Sequence, residues 1–354
     1  RLGYLSSNFK AHVMSCFMMQ LLALADRSRF DVYCYDLGGF SDAAAEQMRS
    51  FGNNWRNIVL PEAKDRARAI AADEIDVLFD LSGHTDGGHG LATLGYKAAP
   101  VQLTGIGYMS TSGLKAVDCF LSDRFLDPPG EGDAHFSEKL LRLSRSHFCY
   151  TPFEKIFKST VDWRPHERPV FGCFNNSSKI SDDMLRLWHA LLVRVPGSTL
   201  LLKAWKPERL QKRAISLGIP PGRIEVRPMT LDYIHEYMDM DIALDTFPYT
   251  GGGTTCEAIY MGVPVVTLAG TRHGTRFGLS LLENVGLGEL AARTPEEYVE
   301  KAAALASDGE LLAALHGNLR RMMQNSSVMD GRSYVREVEA MYEEIWQEWL
   351  AGRE

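Results

Sequence analysis

Short apolar runs alternate with amphipathic stretches from the start of this chain, lapse once, and then begin again; no other feature limits the fold so strongly. Strand-sized runs fall at 1–5, 30–35, 55–60, 75–81, 101–104 and 116–121, with helical patterns at 12–25, 43–51 and 63–72. Strands separated by helices at this interval need crossover connections, and crossovers build parallel sheets. The pattern lapses between Thr151 and Pro169, where Trp163-Arg164-Pro165-His166-Glu167-Arg168-Pro169 reads as a connecting segment. It resumes with strands expected at 170–174, 198–203, 223–226, 241–245 and 264–268, and helices at 181–195, 208–217 and 231–240. The last third is helical, at 295–306, 309–324 and 333–350. A chain of 354 residues exceeds what one core usually serves. The expected class is α/β, with two doubly wound Rossmann-like domains facing across a cleft. The first domain is expected over 1–152, a linker over 153–168 and the second domain over 169–330. The C-terminal helix within 331–354 is expected to pack back on the first domain.

Composition excludes several classes. Apolar content of 45% and charged content of 23% are ordinary for a soluble globular protein. A net charge of −7, with no long Lys/Arg cluster, argues against a nucleic-acid partner. No apolar run approaches the roughly 18 residues of a membrane span. Cys16, Cys34, Cys119, Cys149, Cys173 and Cys256 are scattered without a CxxC pair, which suggests neither zinc nor a disulfide framework. A reduced, cytoplasmic setting fits that pattern. Arg1 leads directly into a strand with neither Met nor a signal peptide before it, as expected of a processed fragment.

Within the second alternation, Asp245-Thr246-Phe247-Pro248-Tyr249-Thr250-Gly251-Gly252-Gly253-Thr254-Thr255-Cys256-Glu257 runs from an apolar strand through three glycines into a helix. Glycines let backbone approach a ligand closely, and a helix start offers N–H groups and a positive dipole end to phosphate. Gly252, Gly253, Thr254 and Thr255 are therefore candidate phosphate contacts, and Glu257 a candidate partner for a ribose hydroxyl pair. A plain strand-to-helix turn explains one glycine and a capping threonine, hardly three glycines and two threonines.

Further polar clusters follow other expected strands. Leu5-Ser6-Ser7-Asn8-Phe9-Lys10-Ala11-His12 places His12 near a helix start, as a general base, a phosphate donor, or a capping histidine. In Leu81-Ser82-Gly83-His84-Thr85-Asp86, His84 and Thr85 suit a substrate hydroxyl, or a loop held together locally by Thr and Asp. Gly105-Ile106-Gly107-Tyr108-Met109-Ser110-Thr111-Ser112-Gly113 offers backbone N–H groups to a sugar or peptide, with Gly107, Tyr108 and Met109 at its centre. Phe174-Asn175-Asn176-Ser177-Ser178-Lys179 supplies Asn176 and an ammonium, Lys179, able to neutralise a departing phosphate; the alternative is a solvated surface lysine. Tyr233 or His235 could stack on a nucleobase, or simply belong to the core.

Taken in order, these motifs resemble the catalytic region of the O-linked N-acetylglucosamine transferases, in particular the SPINDLY-type branch of glycosyltransferase family 41. Arg1-Leu2-Gly3-Tyr4-Leu5-Ser6-Ser7 with His12, Leu81-Ser82-Gly83-His84-Thr85, Ala99-Pro100-Val101-Gln102 followed by Gly107-Tyr108 and Thr111-Ser112-Gly113, and Phe174-Asn175-Asn176 with Lys179 carry the resemblance. So do the stretch from Asp241 to Glu257, Met261-Gly262-Val263-Pro264-Val265-Val266-Thr267 and Tyr342-Glu343-Glu344-Ile345-Trp346.

The resemblance implies a GT-B glycosyltransferase that inverts the anomeric centre, uses a nucleotide sugar, and needs neither cofactor nor metal. Consistent with that, Asp239-Met240-Asp241 reads as a helix-to-strand junction and not as a metal-binding DxD loop. His12 matches the family's active-site histidine, Lys179 its diphosphate-holding lysine, and Thr254 and Thr255 its phosphate turn. Glu257 falls where an acidic residue binds the ribose, and Tyr233 near the histidine that stacks on the base. Met109 replaces a common Pro, Gly252 stands where animal enzymes have His, and no tetratricopeptide array precedes Arg1 in this sequence. The expected activity is transfer of N-acetylglucosamine from UDP-GlcNAc to Ser/Thr hydroxyls of proteins. GDP-fucose, the donor of plant SPINDLY-type protein O-fucosyltransferases, and another UDP-hexose are the alternative donors. A UDP-GlcNAc 2-epimerase and a nucleotide-binding module without catalysis are the alternatives of other classes. Expected partners are a nucleotide sugar, a protein or peptide acceptor and an upstream repeat region.

Overall fold

The computed structural model describes residues 1–352; residues 353 and 354 of the expected C-terminal segment lie outside the described residues. Arg1–Thr151 and the segment from Ser327 form one compact unit, and Pro152–Ser326 forms another.

In the first unit the strands are β1 (Leu2–Ser6), β2 (Val32–Asp36), β3 (Asn54–Asn57), β4 (Val77–Asp80), β5 (Val101–Gly105), β6 (Cys119–Asp123) and β7 (Lys139–Leu143). They lie in the order β3-β2-β1-β4-β5-β6-β7. Every neighbouring pair is parallel; Leu2, for example, pairs with Val32 on one side and Val77 on the other. The crossovers carry α1 (Ser15–Ala23), α2 (Ala43–Ser50), α3 (Ala63–Ala72) and α4 (His89–Leu94). β1, β2 and β4 are buried along their whole length, which is why they read as near-continuous apolar runs. The strand order reverses between β1 and β4, so their carboxyl ends flank the crevice in which such sheets bind ligands. The first helix starts at Ser15, with His12 in the turn just ahead of it. The Ser15 N–H and hydroxyl both donate to the His12 carbonyl, at 2.9 and 2.7 Å, closing a tight turn ahead of the helix.

The second unit opens with the short α5 (Glu154–Phe157). Its strands are β8 (Val170–Cys173), β9 (Thr199–Ala204), β10 (Ile224–Pro228), β11 (Ile242–Leu244), β12 (Val265–Leu268) and β13 (Ala291–Ala292). Their order is β10-β9-β8-β11-β12-β13, again all parallel, with the reversal between β8 and β11. The helices are α6 (Asp182–Arg194), α7 (Pro207–Ser216), α8 (Gly253–Tyr260), α9 (Phe277–Val285), α10 (Pro295–Ser307) and α11 (Gly309–Gln324). Ser181, Thr294 and Asp308 cap α6, α10 and α11 by accepting first-turn N–H groups. The helix expected over 231–240 is instead a 3-10 segment, Ile234–Asp239. At three residues per turn Glu236 and Asp239 eclipse, and both reach the Arg227 guanidinium. The connecting segment around 153–168 is bonded to this unit: Trp163 Nε1 and His166 Nδ1 meet the buried Asp241 carboxylate at 3.1 and 2.8 Å.

The chain then returns to the first unit as α12 (Gly331–Ala351), capped by Asp330. Tyr334 donates to the His147 carbonyl at 2.8 Å, and Tyr342 lies 3.4 Å, hydroxyl to hydroxyl, from Tyr4. No described helix is long and apolar enough to cross a membrane.

Candidate functional site

The glycine turn of the second unit is built around a buried carboxylate. Asp245 follows β11, and its Oδ1 accepts the Thr246 N–H at 2.8 Å, the Gly251 N–H at 2.7 Å and Asn175 Nδ2 at 2.9 Å. Its Oδ2 accepts the Thr267 hydroxyl at 2.7 Å. Burial raises the carboxyl above the usual aspartate value, and these hydrogen bonds and Lys179 counter that rise. Asn175, at the end of the neighbouring β8, also donates to the Thr246 hydroxyl at 2.7 Å and accepts from the Thr254 hydroxyl. Gly251 has no room for a side chain, because a Cβ would stand 2.6 Å from Thr255 Oγ1 and 2.7 Å from Thr254 Oγ1. The turn therefore delivers the chain to α8 in one conformation. Gly252 is the residue before that helix, and no side chain caps its first turn. An uncapped helix start presents backbone N–H groups to an anion.

Lys179 comes to the same turn from β8. Its Nζ donates to the Thr250 carbonyl at 3.1 Å and lies 3.7 Å from the Tyr249 ring centroid. Burial draws its pKa below the ordinary lysine value, with Asp245 opposing the shift. The ammonium is thus fixed beside the glycine turn and not waving in solvent. Asn176 is exposed, and its side chain accepts the Ser178 N–H at 3.1 Å, capping the turn Ser177–Lys179. Of the two adjacent asparagines, Asn175 is the one inside the network. Sequence reading named Asn176 and gave Asp245 and Asn175 no role; the only signal was a polar doublet at a strand end.

Glu257 lies one turn into α8 and is buried. Its two oxygens accept the Tyr233 hydroxyl at 2.8 Å and the Tyr237 hydroxyl at 3.1 Å. Burial pushes its carboxyl up to about 7, against the pull of the two tyrosines. The carboxyl expected to meet a ribose is engaged by tyrosine side chains here, one of them the half-buried Tyr233. His235 is exposed. Asp241, the second acid of the possible DxD, sits at the amino end of the sheet next to β11, away from the carboxyl-end crevice.

In the first unit the expected residues sit on loops at the carboxyl ends of β1, β4 and β5. His12 is half-buried, and its Nδ1 accepts the Met14 N–H at 3.2 Å. His84 is exposed; its Nε2 lies 3.1 Å from the Ser112 carbonyl and its ring 4.9 Å from that of Tyr108. The Thr85 hydroxyl donates to the Ser82 carbonyl at 2.5 Å, holding its loop from within. Gly107, Tyr108 and Met109 are each partly exposed.

Two parallel-sheet Rossmann-like units, with a glycine turn opening a helix at the switch point of the second, are the architecture of the GT-B glycosyltransferase class. The sequence matches Glycosyl transferase family 41 over residues 1–161 and 160–338, and the chain belongs to that family, as the motifs suggested. A mutant O-GlcNAc transferase from Thermobaculum terrenum superposes with a TM-score of 0.92 at 35% identity, over 100% of this chain and 69% of that one. Two plant proteins are each named "Probable UDP-N-acetylglucosamine--peptide N-acetylglucosaminyltransferase SPINDLY". The one from Solanum lycopersicum is 37% identical, over 99% of this chain and 39% of its own length. The one from Arabidopsis thaliana is 36% identical, over 99% of this chain and 40% of its own length. This chain therefore spans about two-fifths of the length of the curated relatives it matches.

Proposed function

We propose that this chain is a nucleotide-sugar-dependent protein O-glycosyltransferase that moves N-acetylglucosamine from UDP-GlcNAc to Ser/Thr hydroxyls, in a cytoplasmic setting. The observation that carries the reading is the convergence of Lys179 on the glycine turn that opens into the uncapped α8. The names of the plant relatives and of the Thermobaculum protein support the donor and the peptide acceptor.

In this reading the acceptor oxygen bonds to C1 of the sugar from the face opposite the diphosphate, and the C1–O bond to phosphate breaks with inversion. The electron pair leaves on the diphosphate, and the proton of the acceptor hydroxyl passes to a diphosphate oxygen. The Lys179 ammonium, the N–H groups of Gly253 and Thr254, and the dipole of α8 stabilise that charge without a metal ion. One such donor is worth about 3 kcal/mol in the transition state. Tyr233 offers its ring to the base, with Glu257 fixing its hydroxyl. His12 accepts a backbone N–H at Nδ1, so its neutral form carries the proton on Nε2. His12 orients the acceptor or relays its proton.

Calorimetry with UDP and GDP in separate runs tests the donor, with UDP binding and GDP failing to bind as the expected result. The reverse outcome assigns the chain to GDP-fucose, and binding of neither defeats the nucleotide reading. Mass spectrometry of proteins co-expressed with and without the chain then gives sugar mass and modified residue together. Nucleotide binding without any modified protein leaves the non-catalytic module, and sugar-nucleotide turnover without acceptor points to the epimerase.

A further inference from the structure

The loops after β4 and β5 are locked together more tightly than a surface pair needs to be. Asp80, wholly buried at the end of β4, accepts the Gly83 N–H at 2.7 Å, the Ser82 N–H at 3.3 Å and the Thr104 hydroxyl at 3.0 Å. The Ser82 hydroxyl lies 3.3 Å from that of Ser6, which joins this loop to the one after β1 across the switch point. Gly107 presses on the other loop so closely that a Cβ there would overlap the Leu81 carbonyl. Beside it Ile106, buried and β-branched, holds a φ of 52°, a conformation such residues rarely adopt. Backbone strain of this kind concentrates where surrounding structure fixes a functional loop.

His84 stands on this platform, and its orientation is set from a distance. Its Nε2 faces the Ser112 carbonyl at 3.1 Å. A carbonyl oxygen only accepts, so Nε2 carries the hydrogen and the neutral ring keeps its lone pair on Nδ1. Among the described side chains none bonds to that Nδ1. Ser112 is in turn held by Glu138, a buried carboxylate just ahead of β7 on the far edge of the sheet. Glu138 accepts the Ser112 N–H at 2.7 Å, the Ser112 hydroxyl, and the Thr111 hydroxyl at 2.6 Å. Burial alone would raise Glu138, but these hydrogen bonds hold it below the ordinary glutamate value, so it remains a carboxylate that accepts all three.

We infer that His84, held in one tautomer by a relay from Glu138 through Ser112, is the acceptor of a hydrogen bond from a substrate hydroxyl in the first unit's crevice. Glu138 is then a positioning residue. The inference rests on the transferase reading only for the identity of the substrate, where the hydroxyl belongs either to the donor sugar or to the protein acceptor.

Long-range ¹H–¹⁵N correlation spectra of the ¹⁵N-histidine-labelled chain, assigned with His84→Gln, read the tautomer directly. An Nε2-protonated His84 that turns into a tautomer mixture in Glu138→Gln is expected; an Nδ1-protonated ring in the wild type overturns the proposal. Kinetics supply the second arm. His84→Gln keeps a donor toward Ser112 but no acceptor at the Nδ1 position, and kcat/KM is expected to fall about tenfold or more. His84→Asn, which places an amide oxygen near that position, is expected to recover part of the loss. A rise in the acceptor-peptide KM assigns the hydroxyl to the acceptor. A rise in the UDP-GlcNAc KM, with UDP affinity unchanged, assigns it to the sugar. Full activity in His84→Gln overturns the inference. If the wild-type chain transfers no sugar at all, the transferase reading falls, while the tautomer still decides this one.

Discussion

The two parallel sheets share one strand order over six strands, with β7 added at the edge of the first, and differ in what stands at their switch points. Between β8 and β11 the second unit gathers fixed positive potential: the Lys179 ammonium against the Thr250 carbonyl, and α8 starting without a side-chain cap. Between β1 and β4 the first unit gathers hydrogen-bonding groups of fixed direction: His12, His84, Tyr108 and the Ser6–Ser82 pair. Each crevice is stiffened from below by a buried aspartate that follows or ends a central strand, Asp245 in one and Asp80 in the other. The scaffold is therefore repeated while the chemistry is not. A fixed ammonium beside a helix start suits a diphosphate, and directed hydrogen-bonding groups suit hydroxyls.

This contrast is open to measurement, beginning with the largest effect. Lys179→Ala is expected to lower kcat by 10²- to 10³-fold, about 3 to 4 kcal/mol, in steady-state assays with UDP-GlcNAc and an acceptor peptide. His12→Ala is expected to cost roughly tenfold, the scale of one neutral hydrogen bond. Equal losses would erase the distinction between the crevices.

Next in size is Asp245→Ala, which strands the Gly251 N–H, the Thr267 hydroxyl and Asn175 Nδ2. Urea unfolding is expected to show a loss of about 3 kcal/mol, with UDP binding abolished even where the chain remains folded. Retained UDP affinity would show that the turn does not need its carboxylate.

The pH dependence of stability compares the two units from another side. Burial raises Glu257 to about 7 from 4.5, so the folded chain holds this proton more tightly than the unfolded chain does. Its stabilising contribution is complete below pH 4.5 and is lost as pH rises through about 7. Glu257→Gln is expected to remove that slope, on the order of 3 kcal/mol across the window. Asp80 rises to about 6 from 3.8, so Asp80→Asn should flatten a narrower interval between those values. Denaturation midpoints measured every half pH unit check both, and a slope unchanged by either substitution refutes the assignment. The smallest effect is expected of Tyr342→Phe, which removes the contact with Tyr4 at a cost of about 1 kcal/mol in the same unfolding assay.

Much of this was legible in the residues. β1, β4, β8 and β11 are short buried strands, so their apolar runs stood out, and with them the two-sheet α/β class. The glycine turn and Lys179 were legible because their residue types are unusual for a strand-to-helix joint. Features that depend on contacts between strands were not. Asp245 reads as an ordinary strand-end acid until Asn175 and Thr267 are seen to converge on it. Glu138 carries no motif, since its role comes from β7 lying beside β6 at the edge of the sheet. A histidine's tautomer is invisible to sequence because the deciding partner is a backbone carbonyl of another loop. The 3-10 winding of Ile234–Asp239 was read as α-helix, and the contacts of Glu236 and Asp239 with Arg227 from outside the segment carry no local signal.

The return of α12 to the first unit also sets an order of assembly during translation. Residues 331–351 leave the ribosome after the whole of 152–326, so the second unit has all of its chain while the first still lacks the cover for Tyr4. Until that last helix emerges, a nascent first unit exposes apolar surface, and it is the half more dependent on chaperone protection.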